Sequence, residues 1–333
     1  WNYELTATDE VIIQFNKHWS REKLELFLLN YNCSLIGKEA AIVNTFLIKV
    51  LSKEEDTAVK KSIELSDGSN GDEGAVGILR SEDLELIFKY TAHGLSHGHY
   101  DKLSFSLFEK GEEVIQDYGM ARYVNVEQKG GGNYLKENKT WSKQTIAHNT
   151  LVQNEKSHFN GNYDIGSKYH SEKYLFDSSN NDIQIASAIE QNAYSGTKFH
   201  RTMAIIKDDD YQNPYVLDIM RVESESSNQY DLPLYYLGQI IQTNFKYTKY
   251  DTPKILGESH GYQHLFEEAN FVSKGENLKL TWMLNNTFYS YSSISNKNDE
   301  MIKDPKIPQS SLEFVVLAME QVSVTVPGLY RVK

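Results

Sequence analysis

The chain has 333 residues, of which 40% are hydrophobic and 12% aromatic, and its formal net charge is −12. This composition excludes a disordered protein, and the acidic balance argues against nonspecific binding to nucleic acid or to an anionic membrane surface. The single cysteine, Cys33, excludes an intrachain disulfide and a cysteine-based metal site. We therefore expect a globular protein with neither nucleic acid nor a membrane as its partner.

The first 60 residues predict helices. Apolar residues recur at three- and four-residue spacing in "EVIIQFNKHW", "SREKLELFLLNY" and "GKEAAIVNTFLIKVLSKEED". These helices are too few to form a core of their own. Residues 1–65 are therefore interpreted as a helical segment, either a small cap or the tail of a larger helical domain.

From about residue 66 the pattern changes to short alternating runs. The small and acidic stretch "SDGSNGDEG" predicts a loop. The strand-like runs that follow are "AVGILRS", "LELIFKYTA", "LSFSLFE", "EVIQDYG", "NTLVQN", "IQIASAIE", "RTMAIIKD", "YVLDIMRVES", "LKLTWMLN" and "SLEFVVLAMEQVSVTVP". Many short strands separated by turn residues indicate a mainly β domain over residues 66–333, built as a sandwich or as stacked antiparallel sheets.

A cluster of histidines stands directly before a predicted hairpin, "LSFSLFEKGEEVIQDYG". His97 and His99 are two positions apart, so they face the same side of an extended chain. The returning strand brings Asp117 back towards the same end, and His148 precedes the next strand. Two imidazoles and a carboxylate suit zinc, and both His97 and His99 are candidate ligands. The alternative is that each histidine is an ordinary surface or core side chain.

Between the hairpin and His148 lies a long stretch without a clear periodic pattern, residues 118–148, and such long loops are usually functional. It carries five basic residues against two acidic ones, so it can capture an anion although the protein as a whole is acidic. Tyr134 follows three glycines there and could exchange protons if positive charge lowers its pKa. The alternatives are a solvated lysine-rich loop and a tyrosine that only packs.

Three strings together resemble a known family: "SHGHYDKLSFSLFEKGEEVIQDYG", "RYVNVEQKGGGNYLKENKTWSKQTIAHNTLV", and "FHRTMAIIK" followed by "YVLDIMRV". They look like the C-terminal half of heparinase II/III-like polysaccharide lyases. The greatest similarity is to the alginate lyases of polysaccharide lyase family 17, the exo-acting oligoalginate lyases. The resemblance covers roughly residues 75–290 and is densest over 93–153.

The resemblance implies a stacked antiparallel β-sheet domain that follows an α/α toroid. It implies a zinc ion bound by His99, Asp117 and His148, with Tyr134 as the catalytic tyrosine. It places His97 and Arg122 at the substrate. In the family the toroid supplies an Asn–His pair and a second tyrosine, so we expect residues 1–65 to be only the end of that domain, the missing part acting as a partner. A homodimer is a further option.

The activity implied is β-elimination on anionic oligosaccharides, namely alginate oligomers, giving a 4,5-unsaturated uronate. The zinc ion is expected to be structural, because elimination needs no attacking water. Two alternatives stay open: a lyase on another uronate polymer, such as heparin or chondroitin, and a noncatalytic carbohydrate-binding β module. Because the chain begins at Trp1, we expect a processed product or a fragment, periplasmic or secreted, whose signal peptide has been removed.

Overall fold

A computed structural model of the protein describes residues 10–14, 33–38, 45–50, 61–94, 98–117, 119, 135–211, 213–275, 277–294, 297–300, 311–317 and 321–322. The chain divides into two compact units, Trp1–Lys60 and Lys61–Lys333. The sequence predicts a domain boundary between residues 65 and 66, a few residues after this division. That domain boundary stays a prediction.

The described part of the first unit consists of strands. They are β1 (Glu10–Gln14), β2 (Cys33–Lys38) and β3 (Thr45–Val50). They form an antiparallel sheet in the order β1-β3-β2. The structure therefore corrects the predicted helices at these three ranges. Runs such as "TFLIKV" are rich in β-branched and aromatic residues, and a short apolar run does not distinguish a strand from a helix by periodicity.

The second unit begins with a five-stranded antiparallel sheet in sequential order. Its strands are β4 (Ile63–Ser66), β5 (Ala75–Ser81), β6 (Leu84–Lys89), β7 (Ser104–Glu109) and β8 (Glu112–Ile115). The predicted hairpin is β7–β8, joined by Lys110 and Gly111 at φ of 52° and 79°. Two successive positive φ values fit the tight turns that follow the natural twist of a hairpin, and glycine adopts one of them at no steric cost.

A larger antiparallel sheet of nine strands lies within the described residues. Eight follow the order β10 (Glu172–Asp177), β11 (Ile183–Tyr194), β12 (Thr197–Ile206), β13 (Tyr215–Ser224), β22 (Ser311–Leu317), β20 (Thr287–Ile294), β19 (Asn277–Leu284) and β15 (Gln239–Thr243). The ninth, β23 (Gln321–Val322), pairs with β20. Each strand-like run named above lies at one of these strands or those of the five-stranded sheet, apart from "NTLVQN".

Short elements complete this unit. Three strand pairs join β9 (Val152–Gln153) to β14 (Tyr230–Asp231), β16 (Thr248–Ile255) to β17 (Phe266–Asn270), and β18 (Val272–Lys274) to β21 (Lys297–Glu300). Helical turns occur at Asn138–Ser142, Thr145–Ala147, His158–Gly161 and Tyr262–His264, and α1 spans Tyr163–Gly166. Of the helices that the structure describes, none has the length and hydropathy needed to cross a membrane.

The hydrophobic core of the second unit lies between its two main sheets. Leu79 and Phe88 of the smaller sheet belong to the same buried cluster as Phe199 and Met203 of the larger one. Buried and half-buried residues alternate along β5 and along most of β13, as expected when one face of each sheet is covered. The predicted mainly β fold with stacked antiparallel sheets is confirmed.

A buried arginine that is ion-paired within the larger sheet also contacts the segment that enters the smaller sheet. The Arg201 guanidinium, on β12, donates to both carboxylate oxygens of Asp218 on β13, at 2.9 and 2.6 Å. It also donates to the carbonyl oxygens of Leu103, just before β7, and of Asn149, at 2.8 and 2.6 Å. The ion pair therefore fixes the entry to the hairpin and the residue next to His148.

Candidate functional site

The β7–β8 hairpin positions the predicted carboxylate. Asp117 follows β8 after one residue, Gln116, whose backbone is held on both sides. The Gln116 N–H donates to the carbonyl of Tyr235 at 2.8 Å, and its carbonyl accepts from the Asn149 amide at 2.8 Å. The Asp117 side chain is thereby fixed at the end of the sheet, with 24% of its surface exposed.

His148 is fully buried directly after the turn Thr145–Ala147. Its Nε2 lies 3.0 Å from the carbonyl oxygen of Ser142, and its Nδ1 lies 2.6 Å from Oδ1 of Asp117. A carbonyl only accepts hydrogen bonds, so Nε2 carries a proton. Nδ1 faces the carboxylate of Asp117. An imidazole whose one ring nitrogen donates to a backbone carbonyl is typical of metal ligands, because this hydrogen bond orients the other nitrogen.

His99 is brought beside His148 by pairing between their two segments. The Tyr100 N–H donates to the Lys143 carbonyl at 3.0 Å, and the Thr145 hydroxyl donates to the Tyr100 carbonyl at 2.5 Å. As a result, the centroids of the two imidazole rings are 5.2 Å apart, with an interplanar angle of 53°. The structure therefore places His99, Asp117 and His148 at one end of the smaller sheet.

The pKa values of the two histidines shift in opposite directions. Burial, assisted by the neighbouring His148, lowers the pKa of His99 to about 4, so His99 is neutral at pH 7. Burial acts downwards on the pKa of His148 as well, but the charge and hydrogen bond of Asp117 raise it above its ordinary value. A metal ion would compete with the proton shared by His148 and Asp117.

Asp101 is a second carboxylate at this place, and the sequence reasoning missed it. One ligand atom each of His99, Asp101 and His148 lies within 4.8 Å of the others. Asp101 is buried, and both of its oxygens accept from the Lys89 ammonium, at 2.8 and 2.6 Å. The available signal was its spacing, because Asp101 stands two positions after His99 and shares its face in an extended chain.

The donor groups fit a zinc ion. Zinc binds imidazole nitrogens and carboxylate oxygens, usually with four ligands in a tetrahedron. Three such groups lie together here. His99 is a neutral imidazole, His148 is oriented by a backbone carbonyl, and the Asp117 carboxylate contacts His148. Asp101 and Asp117 are the two carboxylates that could complete this ligand set.

Gly119 contacts the face of His148 where no side chain fits. A Cβ at this position would lie 2.3 Å from Cε1 of His148 and 2.8 Å from Nδ1. Contacts below 3.0 Å require the imidazole ring to move. Gly119 is therefore a positioning residue for His148, and its proximity to a residue 29 positions away could not be read from the chain.

Asn149 joins three segments around the cluster and was also missed. Its Nδ2 donates to the carbonyls of Phe105 and Gln116, at 3.0 and 2.8 Å, and its Oδ1 accepts from the Tyr235 N–H at 2.7 Å. Asn149 is itself buried, at 1% exposure. One amide thus fixes the residues preceding Asp117 relative to those following His148.

The predicted substrate and catalytic residues, His97, Arg122 and Tyr134, lie outside the described residues. The described end of the cationic stretch begins at Leu135 and carries lysines at positions 136, 139 and 143. Burial lowers the pKa of Lys143, and the charge of Lys139 adds to this shift. These three lysines outnumber the single acidic residue, Glu137, and the Lys143 carbonyl accepts from Tyr100, the neighbour of His99, so the positive end of the stretch adjoins the histidine cluster.

The chain belongs to the heparinase II/III-like family. Residues 64–303 match the family model described as heparinase II/III-like, C-terminal. This match covers most of the second unit, including the histidine cluster and all of the larger sheet except β22 and β23. The family that the sequence resemblance predicted is confirmed.

Two curated relatives are similar over most of the chain. An exo-oligoalginate lyase of Saccharophagus degradans is 43% identical over 241 residues, which is 71% of this chain and 33% of the relative. An alginate lyase of Stenotrophomonas maltophilia is 43% identical over 231 residues, 68% of this chain and 31% of the relative. The chain therefore spans about a third of the length of the curated relatives that it matches.

Solved structures are more distant. The heparan sulfate lyase HepC of Pedobacter heparinus is 17% identical with a TM-score of 0.47, covering 83% of this chain and 38% of that one. A structure of heparinase III is 13% identical with a TM-score of 0.42, covering 78% of this chain and 37% of that one.

Proposed function

We propose that this chain is the β-sheet part of a polysaccharide lyase that cleaves alginate oligomers by β-elimination. The observation that supports this most is its 43% identity to two proteins named alginate lyases. The cationic stretch beside the histidine cluster supports it further, since alginate is a polymer of uronic acids and each sugar carries a carboxylate. A related uronate polymer is the alternative substrate.

In this reaction a base removes the proton at C5, next to the carboxylate, and the bond between C4 and the glycosidic oxygen breaks. The product is a 4,5-unsaturated uronate. Tyr134 acts as the general acid towards the leaving oxygen; when it also serves as the base, its phenolate takes the C5 proton and then returns that proton to the leaving oxygen. Arg122 orients a substrate carboxylate through two parallel hydrogen bonds, and His97 hydrogen-bonds the terminal sugar.

We assign a structural role to a zinc ion held by His99, Asp117 and His148. When bound, the ion would supply a fixed positive charge that brings three chain segments together. Asp117 ends the hairpin and His148 ends the stretch that contains Tyr134, so both ends of that stretch would be fixed. The toroid domain of the family would add an Asn–His pair and a second tyrosine to stabilise charge on the substrate carboxylate.

Lyase activity is tested by following the ultraviolet absorbance of the unsaturated product. The chain is assayed alone and with a toroid domain added in trans, on alginate oligosaccharides, heparin oligosaccharides and chondroitin oligosaccharides. We expect product from alginate oligosaccharides in the mixture. Product from only one of the other polymers would identify that polymer, and not alginate, as the substrate. Binding without product in any combination would indicate a noncatalytic carbohydrate-binding module.

The Gly119→Ala variant is expected to bind zinc 10–100-fold more weakly, because the added methyl group displaces the ring of His148. Zinc affinity is measured by competition with a chromophoric chelator. Gly111→Ala is the matched control: a Cβ there meets nothing within 4 Å, but φ of 79° makes alanine strained. This control should lower stability and leave zinc affinity unchanged. Equal zinc affinity in both variants would contradict the role of Gly119.

A further inference from the structure

Asp101, the acidic residue closest in sequence to His99, is already paired with the ammonium of a lysine. Lys89, the last residue of β6, reaches Asp101 with its ammonium at 2.6 and 2.8 Å from the two carboxylate oxygens. Asp101 is 3% exposed, whereas 34% of the Lys89 side chain is exposed. The carboxylate is therefore paired inside the protein, by the end of β6 and the segment that precedes β7.

The two carboxylates of the site differ in what they face. Asp117 contacts Nδ1 of His148 directly, at 2.6 Å. Asp101 lies within 4.8 Å of the ligand atoms of both histidines, but its oxygens face the ammonium. Another buried ammonium nearby, that of Lys102, donates to two backbone carbonyls instead. Lys89 is thus a cation in direct contact with both oxygens of Asp101.

We propose that Lys89 keeps Asp101 out of the coordination sphere of the metal and so limits the site to three protein ligands. A metal ion bound by Asp101 would have to displace the ammonium from a buried carboxylate or lie next to it, and both arrangements are costly. One coordination position is then left for a small ligand such as water. This inference rests on the proposed zinc site and assigns a role to a residue outside its ligand set.

Removing the ammonium should give the metal a fourth protein ligand. In Lys89→Met the buried Asp101 carboxylate loses the ammonium that it contacts, and a divalent cation can then take the place of this ammonium. We expect zinc affinity to rise at least tenfold and the visible spectrum of the cobalt(II)-loaded protein to change. Lys89→Arg retains the charge and should restore both properties, and Lys89→Met with Asp101→Asn should return the spectrum to that of the wild type.

Single substitutions of the carboxylates test the same point without removing the lysine. Asp101→Asn should weaken zinc binding less than tenfold and preserve the cobalt spectrum, whereas Asp117→Asn should weaken binding more than a hundredfold. A larger loss with Asp101→Asn than with Asp117→Asn would overturn the proposal, as would unchanged affinity in a folded Lys89→Met.

The outcomes separate this proposal from the zinc site itself. If the wild type binds zinc and Lys89→Met binds it no more tightly, only the role of Lys89 fails. If neither protein binds zinc, both proposals fail. Binding by Lys89→Met but not by the wild type would support the role of Lys89 and show that its ammonium controls access of the ion to the site.

Discussion

Replacing Tyr134 with phenylalanine is expected to lower kcat on alginate oligosaccharides by about 10²–10⁴-fold, the usual contribution of a general acid or base. The substitution removes one oxygen, the group that would exchange the proton, and retains the aromatic ring. KM should change little, because the proposed substrate contacts are made by Arg122 and His97. The measurement is initial-rate absorbance of the unsaturated product with the toroid domain present.

Tyr211→Phe serves as the matched control for this prediction. Tyr211 is 42% exposed in the loop before β13 and packs against Tyr215. Its loss should leave kcat unchanged. Zinc content and the unfolding midpoint should be the same for both variants. A Tyr134→Phe enzyme that retains its full kcat would rule out the phenol as the catalytic group.

Truncating Asp218 to alanine is expected to destabilise the second unit by about 3–5 kcal/mol, since it leaves the buried Arg201 guanidinium without its counter-charge. Arg201 is only 1% exposed, so water cannot replace the carboxylate. Urea unfolding measures the loss. Glu223→Ala is the control, because Glu223 pairs with the exposed Arg221 at 3.2 Å and such surface pairs contribute less than about 1 kcal/mol.

A double substitution separates the contribution of the two buried charges to stability from that of the hydrogen bonds that Arg201 donates to backbone carbonyls. Replacing Arg201 by methionine and Asp218 by leucine removes both buried charges, and in other proteins such exchanges are often neutral or stabilising. Here we expect only partial recovery, because the carbonyls of Leu103 and Asn149 lose their donor. Full recovery would show that these two hydrogen bonds are dispensable, and equal losses for Asp218→Ala and Glu223→Ala would contradict the burial argument.

The strands of the second unit could be predicted because their two faces differ. Alternation is visible directly in the letters, so "AVGILRS" and "YVLDIMRVES" coincide with β5 and β13. The hairpin at Lys110 and Gly111 was equally local, since its turn residues stand between two such runs. In the first unit the apolar spacing matched a helix and a strand alike, and the structure has strands at the three described ranges.

The candidate site was predictable only in part. A hairpin that returns the chain to its starting point placed Asp117 and His148 near His97 and His99, and only the family resemblance selected His99 as the ligand. Gly119 and Asn149 could not, since their roles depend on contacts with segments distant in sequence. The pairing of Lys89 with Asp101 joins the end of β6 to the segment before β7, and spacing within one segment does not reveal it.

The contact between Asp117 and His148 spans 31 positions of the chain. An ion bound by both would act as a cross-link, although the protein has a single cysteine and no intrachain disulfide can form. Closing a loop of this length removes conformational entropy from the unfolded chain worth about 3–4 kcal/mol in the polymer model used for disulfides. Metal availability would then govern the resistance of this protein to unfolding, much as oxidation does for secreted proteins rich in cysteine.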